Sequence, residues 1–139
     1  MALTKTQIAA NAGKTVFKFR VKKADKSLMA KSERLIKKST NAKLGKRVNN
    51  GHYKGYPIYT LTLEERATCP SSCVHWLDCY GNNMRYAYRY QAGSALEAML
   101  EIELAELQRK HPKGFLVRLH ILGDFYSVSY VAKWASWIG

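Results

Sequence analysis

Phe115-Leu116-Val117-Arg118-Leu119-His120-Ile121-Leu122-Gly123-Asp124-Phe125 is the stretch on which the fold turns. Phe115, Val117, Leu119 and Ile121 alternate onto one face, yet Leu116 and Leu122 are apolar too, so the run predicts a strand covered on both sides. Such strands belong to parallel sheets whose crossovers are helices. Upstream, Leu96, Met99, Leu100, Leu104 and Leu107 form an apolar stripe with Glu101 and Glu106 off it. They predict a helix over residues 94–110, opened by a Ser94-Ala95-Leu96-Glu97 capping box and ended by His111-Pro112-Lys113-Gly114. Downstream, Ser127 opens a helix carrying Tyr130, Val131, Trp134, Trp137 and Ile138. Farther back, Pro57-Ile58-Tyr59-Thr60-Leu61-Thr62-Leu63 reads as a strand, and Asn83–Tyr90 has helical character until Gly93 breaks it. The order is therefore strand, cysteine loop, helix, strand, Gly-Asp-Phe loop, helix. The fold class is α/β, a partial parallel strand–helix, barrel-like repeat from about residue 56.

A basic, partly extended arm precedes it. Residues 4–12 read as a short helix. In Thr15–Val21, Phe17, Phe19 and Val21 alternate with Lys18 and Arg20, predicting a half-buried strand. Asn11-Ala12-Gly13-Lys14-Thr15 is like the end of a phosphate-binding loop, but the first glycine that motif requires falls at Ile8, so the motif is absent. Lys22–Asn50 is polar and extended apart from a turn of helix around Ser32–Lys38. The chain divides into an arm, residues 1–55, and an α/β cysteine-loop domain, residues 56–139.

Charge follows the same division. Residues 1–60 hold 15 Lys/Arg against Asp25 and Glu33, and residues 61–139 hold 8 of each sign, so the whole formal charge of +13 sits in front. A front of this kind suits nucleic acid or another polyanion, with Lys37, Lys38, Lys43, Lys46, Arg47 and Lys54 as contacts; the alternative is a solvated basic tail. His52, Tyr53, Tyr56 and Tyr59 lie among these cations and suggest stacking platforms. No apolar run approaches the roughly 18 residues of a membrane span, and no hydrophobic signal region opens the chain. A cytoplasmic location, with thiols kept reduced, is the expectation.

All three cysteines fall within Thr68-Cys69-Pro70-Ser71-Ser72-Cys73-Val74-His75-Trp76-Leu77-Asp78-Cys79-Tyr80-Gly81-Asn82-Asn83. Three soft thiolates with one coordination place left over suit an iron–sulfur cluster, or zinc completed by His75. A disulfide with one spare thiol, or apolar core filling, are the other readings. In parallel sheets ligands gather at the carboxyl ends of strands. The cysteine loop and the Gly123-Asp124-Phe125 turn both leave such ends, so they are expected side by side. His120 and Asp124 then become proton-handling groups, with Tyr80, Asn82, Asn83 and Gly123 around a ligand. Equally, His120 is a hydrogen-bonded core histidine, and Asp124, Asn82 and Asn83 are turn caps. Trp76, Trp134 and Trp137 read as core or interface, the last two as a surface for a second copy.

From about Asn41 the sequence resembles the phage "gene product 88" family of phages and integrated elements. The matching stretches are Asn41-Ala42-Lys43-Leu44-Gly45-Lys46, Tyr56–Leu63, Thr68-Cys69-Pro70, Cys79-Tyr80-Gly81-Asn82-Asn83, Arg118-Leu119-His120 and Gly123-Asp124-Phe125-Tyr126-Ser127. More loosely, the chain resembles radical S-adenosylmethionine enzymes, which carry three cysteines in the loop after their first barrel strand. That resemblance implies Cys69, Cys73 and Cys79 as ligands of a [4Fe–4S] cluster, with S-adenosylmethionine on the open iron. The second gap here is five residues rather than two, and Tyr80 follows the last cysteine instead of preceding it. The chain offers two strand–helix repeats where that barrel needs about six, so a truncated barrel is expected. Two functions follow. One is a redox or radical enzyme-like phage protein with a nucleic-acid-contacting arm. The other is a non-catalytic protein that blocks nucleic acid or a host nucleoprotein defence complex, its cysteines structural or zinc-binding.

Overall fold

The computed structural model describes residues 2–24, 34–39 and 45–138. Helix α1 (Lys5–Ala12) begins where Thr4 Oγ1 accepts from Gln7 N and the Gln7 side chain accepts from Thr4 N, a reciprocal cap. Gly13, at φ 64°, ends it in the left-handed conformation. Thr15–Val21 does not form the expected strand. A 3-10 turn, Lys18–Arg20, leads into the two-residue strand β1 (Val21–Lys22). The reason is local: Thr15 N donates to Glu64 Oε2 at 3.0 Å and Phe17 N to Thr15 Oγ1 at 3.2 Å, so side chains take the donors a ladder would need.

The turn of helix expected around Ser32–Lys38 is also replaced. Residues 32–33 lie outside the described residues, and Lys37–Lys38 is strand β2. Leu35 N and Ile36 N each donate to the Glu103 carboxylate at 3.0 Å, which holds this stretch extended while both side chains enter the core. The basic front thus contributes two strands, β1 and β2, and the core residues Ala24, Leu35 and Ile36 to the body of the protein.

Strand β3 (Ile58–Thr60) pairs antiparallel with β2. Next, a 3-10 turn at Tyr80–Asn83 and strand β4 (Arg89–Tyr90) stand where helix was expected over Asn83–Tyr90. β4 lies parallel to β1, and Tyr90 N donates to Thr62 O, so these residues bond sideways rather than along a helix axis. Helix α2 (Ser94–Lys110) matches the leucine stripe residue for residue, and Leu96, Met99, Leu100 and Leu104 are buried. Its expected capping box is not formed. Gly93 is the cap, and Glu97 turns inward, 3.5 Å from Lys133 Nζ.

Strand β5 (Leu116–Arg118) pairs parallel with β3 across the α2 crossover, giving the sheet order β2-β3-β5. It is shorter than the apolar run because His120 takes φ 56°, outside extended space. Pairing nonetheless continues beyond the strand, with Ile121 N to Leu61 O and Leu63 N to Leu122 O, both 3.0 Å. Helix α3 (Val128–Ile138) opens where Ser127 Oγ accepts from Tyr130 N, and α3 packs on α2. The core between sheet and helices joins Leu35, Ile36, Leu61, Leu63, Leu100 and Tyr130. Burying each such leucine contributes about 1.5–3 kcal/mol. The architecture is mixed α/β with small parallel and mixed sheets, not a closed barrel. Among the described residues no helix is long and apolar enough to cross a membrane.

Candidate functional site

The two chemically loaded loops meet as the topology requires. Leu63 N on Leu122 O sets the strand ends level. Thr68 then joins the loops: its hydroxyl donates to Glu64 O at 2.9 Å and accepts from Asp124 N at 3.0 Å. Gly123 is needed at this junction. Its φ is 85°, and a Cβ there would lie 2.6 Å from Thr68 Oγ1 and 2.8 Å from Leu63 Cβ.

His120 lies largely inside this junction. Its Nε2 is 2.9 Å from the Tyr130 hydroxyl, and its ring meets Phe125 edge-on at 4.7 Å. Burial drives its pKa down to about 4, against a smaller upward pull from the Asp124 charge, so the ring is neutral near pH 7. Tyr130 is pushed up by the same burial. Asp124 Oδ1 accepts from Phe125 N at 2.7 Å, the turn-capping contact its position allows.

The cysteine loop winds outward from Thr68. Cys73 N donates to Pro70 O and Trp76 N to Cys73 O, both at 3.1 Å, making two successive turns. All three thiols are free; Cys69 and Cys79 are half-buried and Cys73 is exposed. Burial raises the Cys69 pKa, and the charges of Asp124, Cys79 and Cys73 raise it further. All three thiols lie on this one loop, and Asp124 N is tied to the start of that loop through Thr68. Among the described residues, no three His, Cys, Asp or Glu side chains converge closely enough to hold a metal ion as they stand. His75, the fourth ligand in the zinc reading, faces outward and pairs with Asp78 at 3.3 Å. Tyr80 is exposed beside the cysteines; burial and the Cys79 charge raise its pKa, and Arg118 opposes them. Asn83 is exposed.

Below the loop lies a buried charged foundation that sequence reasoning missed. Arg66, at φ 66°, donates to Trp76 O at 2.7 Å, Lys14 O at 3.0 Å, Leu77 O at 3.2 Å and Asn82 Oδ1 at 2.8 Å. Asn82 also donates from Nδ2 to Leu77 O, so its side chain braces the loop. Arg89 pairs with Glu65 at 3.0 Å and donates to Gly81 O at 2.8 Å, with both charged side chains fully buried. A Cβ on Gly81 would fall 2.1 Å from Glu65 Oε2. The available signal was Glu64-Glu65-Arg66, a charged triplet wedged between an apolar strand and the cysteines.

A second region gathers the cations. One groove of about 580 Å³ is lined by Arg34, Lys37, Lys38, Tyr59 and Lys110, with Glu103 and Glu106. An adjoining one of about 360 Å³ is lined by Arg47, Lys54, Lys110, His111 and Lys113. Between them the Tyr59 hydroxyl and His111 Nε2 are 2.7 Å apart. The His111 pKa is lowered by desolvation first, then by the charges of Lys110, Arg47 and Lys38. Lys110 and Lys113, at the end of α2, join the contacts expected from sequence; they had read only as a helix terminus. Lys46 is exposed beside β3, its carbonyl accepting from Ile58 N. Lys43 lies outside the described residues. Tyr59 is only 3% exposed and belongs to the core, whereas His52, Tyr53 and Tyr56 stack edge-on in a chain at the surface. Trp134 is buried, and with Trp137, Leu104 and Val117 it lines a more apolar groove of about 750 Å³ that shares His111 and Lys113 with the 360 Å³ one.

Residues 34–138 match a family profile described as Gene product 88. The chain belongs to this phage gene-product family. In this Gene product 88 protein the matched span runs from β2 to the end of α3 and takes in the cysteine loop, its charged foundation and the groove cations. No curated protein and no solved structure matches the chain. These comparisons do not support the looser likeness to radical S-adenosylmethionine enzymes that the three cysteines suggested.

Proposed function

We propose that this Gene product 88 protein binds nucleic acid in the cationic groove beside Tyr59 and His111. The observation that carries the reading is geometric: Lys37, Lys38 and Lys110 line one groove and Arg47, Lys54, Lys110 and Lys113 line the next, so cations from three separate parts of the chain meet along one face. Both nearby acids are committed elsewhere: Glu103 to Leu35 N and Ile36 N, and Glu106 to Arg34 at 3.2 Å. Among the described residues Lys38, Arg47 and Lys110 enter no ion pair, although Glu103 and Glu106 line the groove beside Lys38 and Lys110, and that surplus favours an external polyanion; a phosphate backbone supplies one while releasing its counterions. Binding alone, covering nucleic acid or a host nucleoprotein complex, requires nothing further. The test is fluorescence anisotropy of labelled nucleic acid across a salt series, with Lys38→Gln, Arg47→Gln and Lys110→Gln combined. The slope of log affinity on log salt should fall by about 2 to 3. An unchanged slope removes the groove as the contact.

A second reading concerns the cysteine loop, and three free thiols on one loop whose start is tied to Asp124 through Thr68 favour it. On this reading the three thiolates hold an iron–sulfur cluster, alone or with S-adenosylmethionine, or a zinc ion. The loop would have to draw its thiols together, and exposed Cys73 has the room to move. When bound, a cluster would supply electron transfer and an open iron; the chain's part is to keep Cys69 and Cys79 on the Arg66-braced base. Anaerobic purification with iron and zinc analysis decides it: cluster absorbance near about 400 nm that Cys73→Ala abolishes supports the reading. Protein without metal, or colour indifferent to Cys73→Ala, overturns it.

A further inference from the structure

We infer that the nucleic acid this groove accepts is single-stranded, with its bases stacking on Phe19, Tyr86 and Tyr88. The inference rests on the nucleic-acid reading above and names its substrate class. The parallel pairing of β1 with β4 brings together two segments far apart in sequence and leaves Phe19, Tyr86 and Tyr88 at 66%, 75% and 38% exposure. Large rings left in water on a small protein mark a surface with a partner.

Cations already sit on the ring faces and edges. The Arg20 guanidinium carbon lies 5.3, 5.6 and 5.0 Å from the centroids of Phe19, Tyr86 and Tyr88. Lys22 Nζ is 3.9 Å from the Tyr88 centroid. Arg20 Nε is buried and has no hydrogen-bond partner among the described residues. Cation–π contacts fix the tilt of the rings before any ligand arrives, which lowers the ordering cost of stacking.

Continuity with the groove comes through Lys37. Its Nζ lies 5.6 Å from the Tyr88 centroid and 5.3 Å from that of Tyr90, and the same side chain lines the groove beside Lys38 and Lys110. A track therefore runs from aromatic platform to phosphate-binding cations. The charge of the platform is one-sided: besides Arg89, which Glu65 answers in the interior, residues 2–24 and 80–93 contain seven Lys/Arg and no Asp or Glu. Alternating π-faces and cations fit a single strand, which presents one base face and one phosphate per step. A duplex keeps its base faces inside the stack and offers these rings nothing to cover.

The test is fluorescence anisotropy with labelled oligodeoxythymidine, oligouridine and a DNA duplex, on wild type, Tyr88→Ala, Tyr86→Ala, Tyr88→Phe and Lys38→Gln. Wild type should prefer a single strand, DNA or RNA, over the duplex. Removing either ring should weaken single-strand binding by about 5- to 150-fold, as expected for one lost base stack. Tyr88→Phe, which keeps the ring, should retain affinity. Tyr86→Ala covers the case in which Tyr88→Ala misfolds, because Tyr86 is the most exposed of the three rings. If single strand and duplex bind alike and the ring variants match wild type, while Lys38→Gln weakens both, the single-strand inference fails and the groove reading stands. If wild type binds none of the probes, both fail.

Discussion

Under the cysteine loop, Glu64, Glu65, Arg66 and Arg89 are buried and hydrogen-bonded; along the groove, Lys38, Arg47 and Lys110 crowd His111 and enter no ion pair among the described residues. Both regions are rich in charge, but they use it differently. Beneath the loop, each charge is answered within the fold, so its work is to hold a backbone shape. In the groove, cations are gathered against their own repulsion, so the arrangement becomes favourable once an anion arrives. Buried charge here marks scaffold, and the groove cations outside any ion pair mark the face where we propose that nucleic acid binds.

Three changes would break or sharpen that contrast. The largest effect belongs to the foundation. Arg89→Met leaves Glu65 buried without its partner and should cost about 3–5 kcal/mol in urea denaturation. The double variant Glu65→Leu with Arg89→Met should recover part of that loss. A cost below 1 kcal/mol for the single change (about the worth of an exposed pair) would place this charge on the surface in energetic terms.

A middle-sized effect is the pH dependence set by His120. Its folded pKa, about 4, lies below the unfolded value of 6.5, so the unfolded chain takes up a proton first as the solution is acidified. Stability should therefore decline as pH falls from about 6.5 to about 4. His120→Gln should flatten this segment of a melting-temperature profile, and an unaltered profile would show that His120 does not drive it.

The smallest effect on stability should come from the groove. Lys38→Gln, Arg47→Gln and Lys110→Gln together should leave the denaturation midpoint within about 0.5 kcal/mol of wild type, or raise it slightly, since no native ion pair is lost. A loss of several kcal/mol would make these cations part of the scaffold. Their pH signature lies in binding instead. Phosphate beside His111 offsets the Lys110, Arg47 and Lys38 charges that help lower its pKa, so affinity should strengthen as pH falls below 6.5. Titrating affinity between neutral and mildly acid pH checks this.

Much of the frame was legible from sequence. The leucine stripe gave α2 its bounds because a 3.6-residue period and a buried face are the same fact. The alternation of strands and helices implied a parallel partner for residues 115–122, and hence the meeting of the cysteine and Gly-Asp-Phe loops, although β5 is only partly buried rather than covered on both sides. What escaped was decided by side chains acting against their type. Nothing in the sequence paired Arg89 with Glu65, yet their ion pair is fully buried and Arg89 lies on β4 where helix was expected. Glu97 looked like a capping residue but turns into the protein. Thr15 and Glu64 consumed the donors of a strand the alternation had promised. The basic contacts were visible one by one, but their assembly with Lys110 and Lys113 depended on where α2 ends.

The most direct test of the central claim is the salt dependence of nucleic-acid binding by wild type against the Lys38, Arg47 and Lys110 triple glutamine variant, measured on protein whose urea midpoints agree. The account predicts a wild-type affinity that falls steeply with salt and a slope shallower by about 2 to 3 in the variant. Parallel salt slopes for the two proteins, or no binding by wild type at low salt, would contradict it.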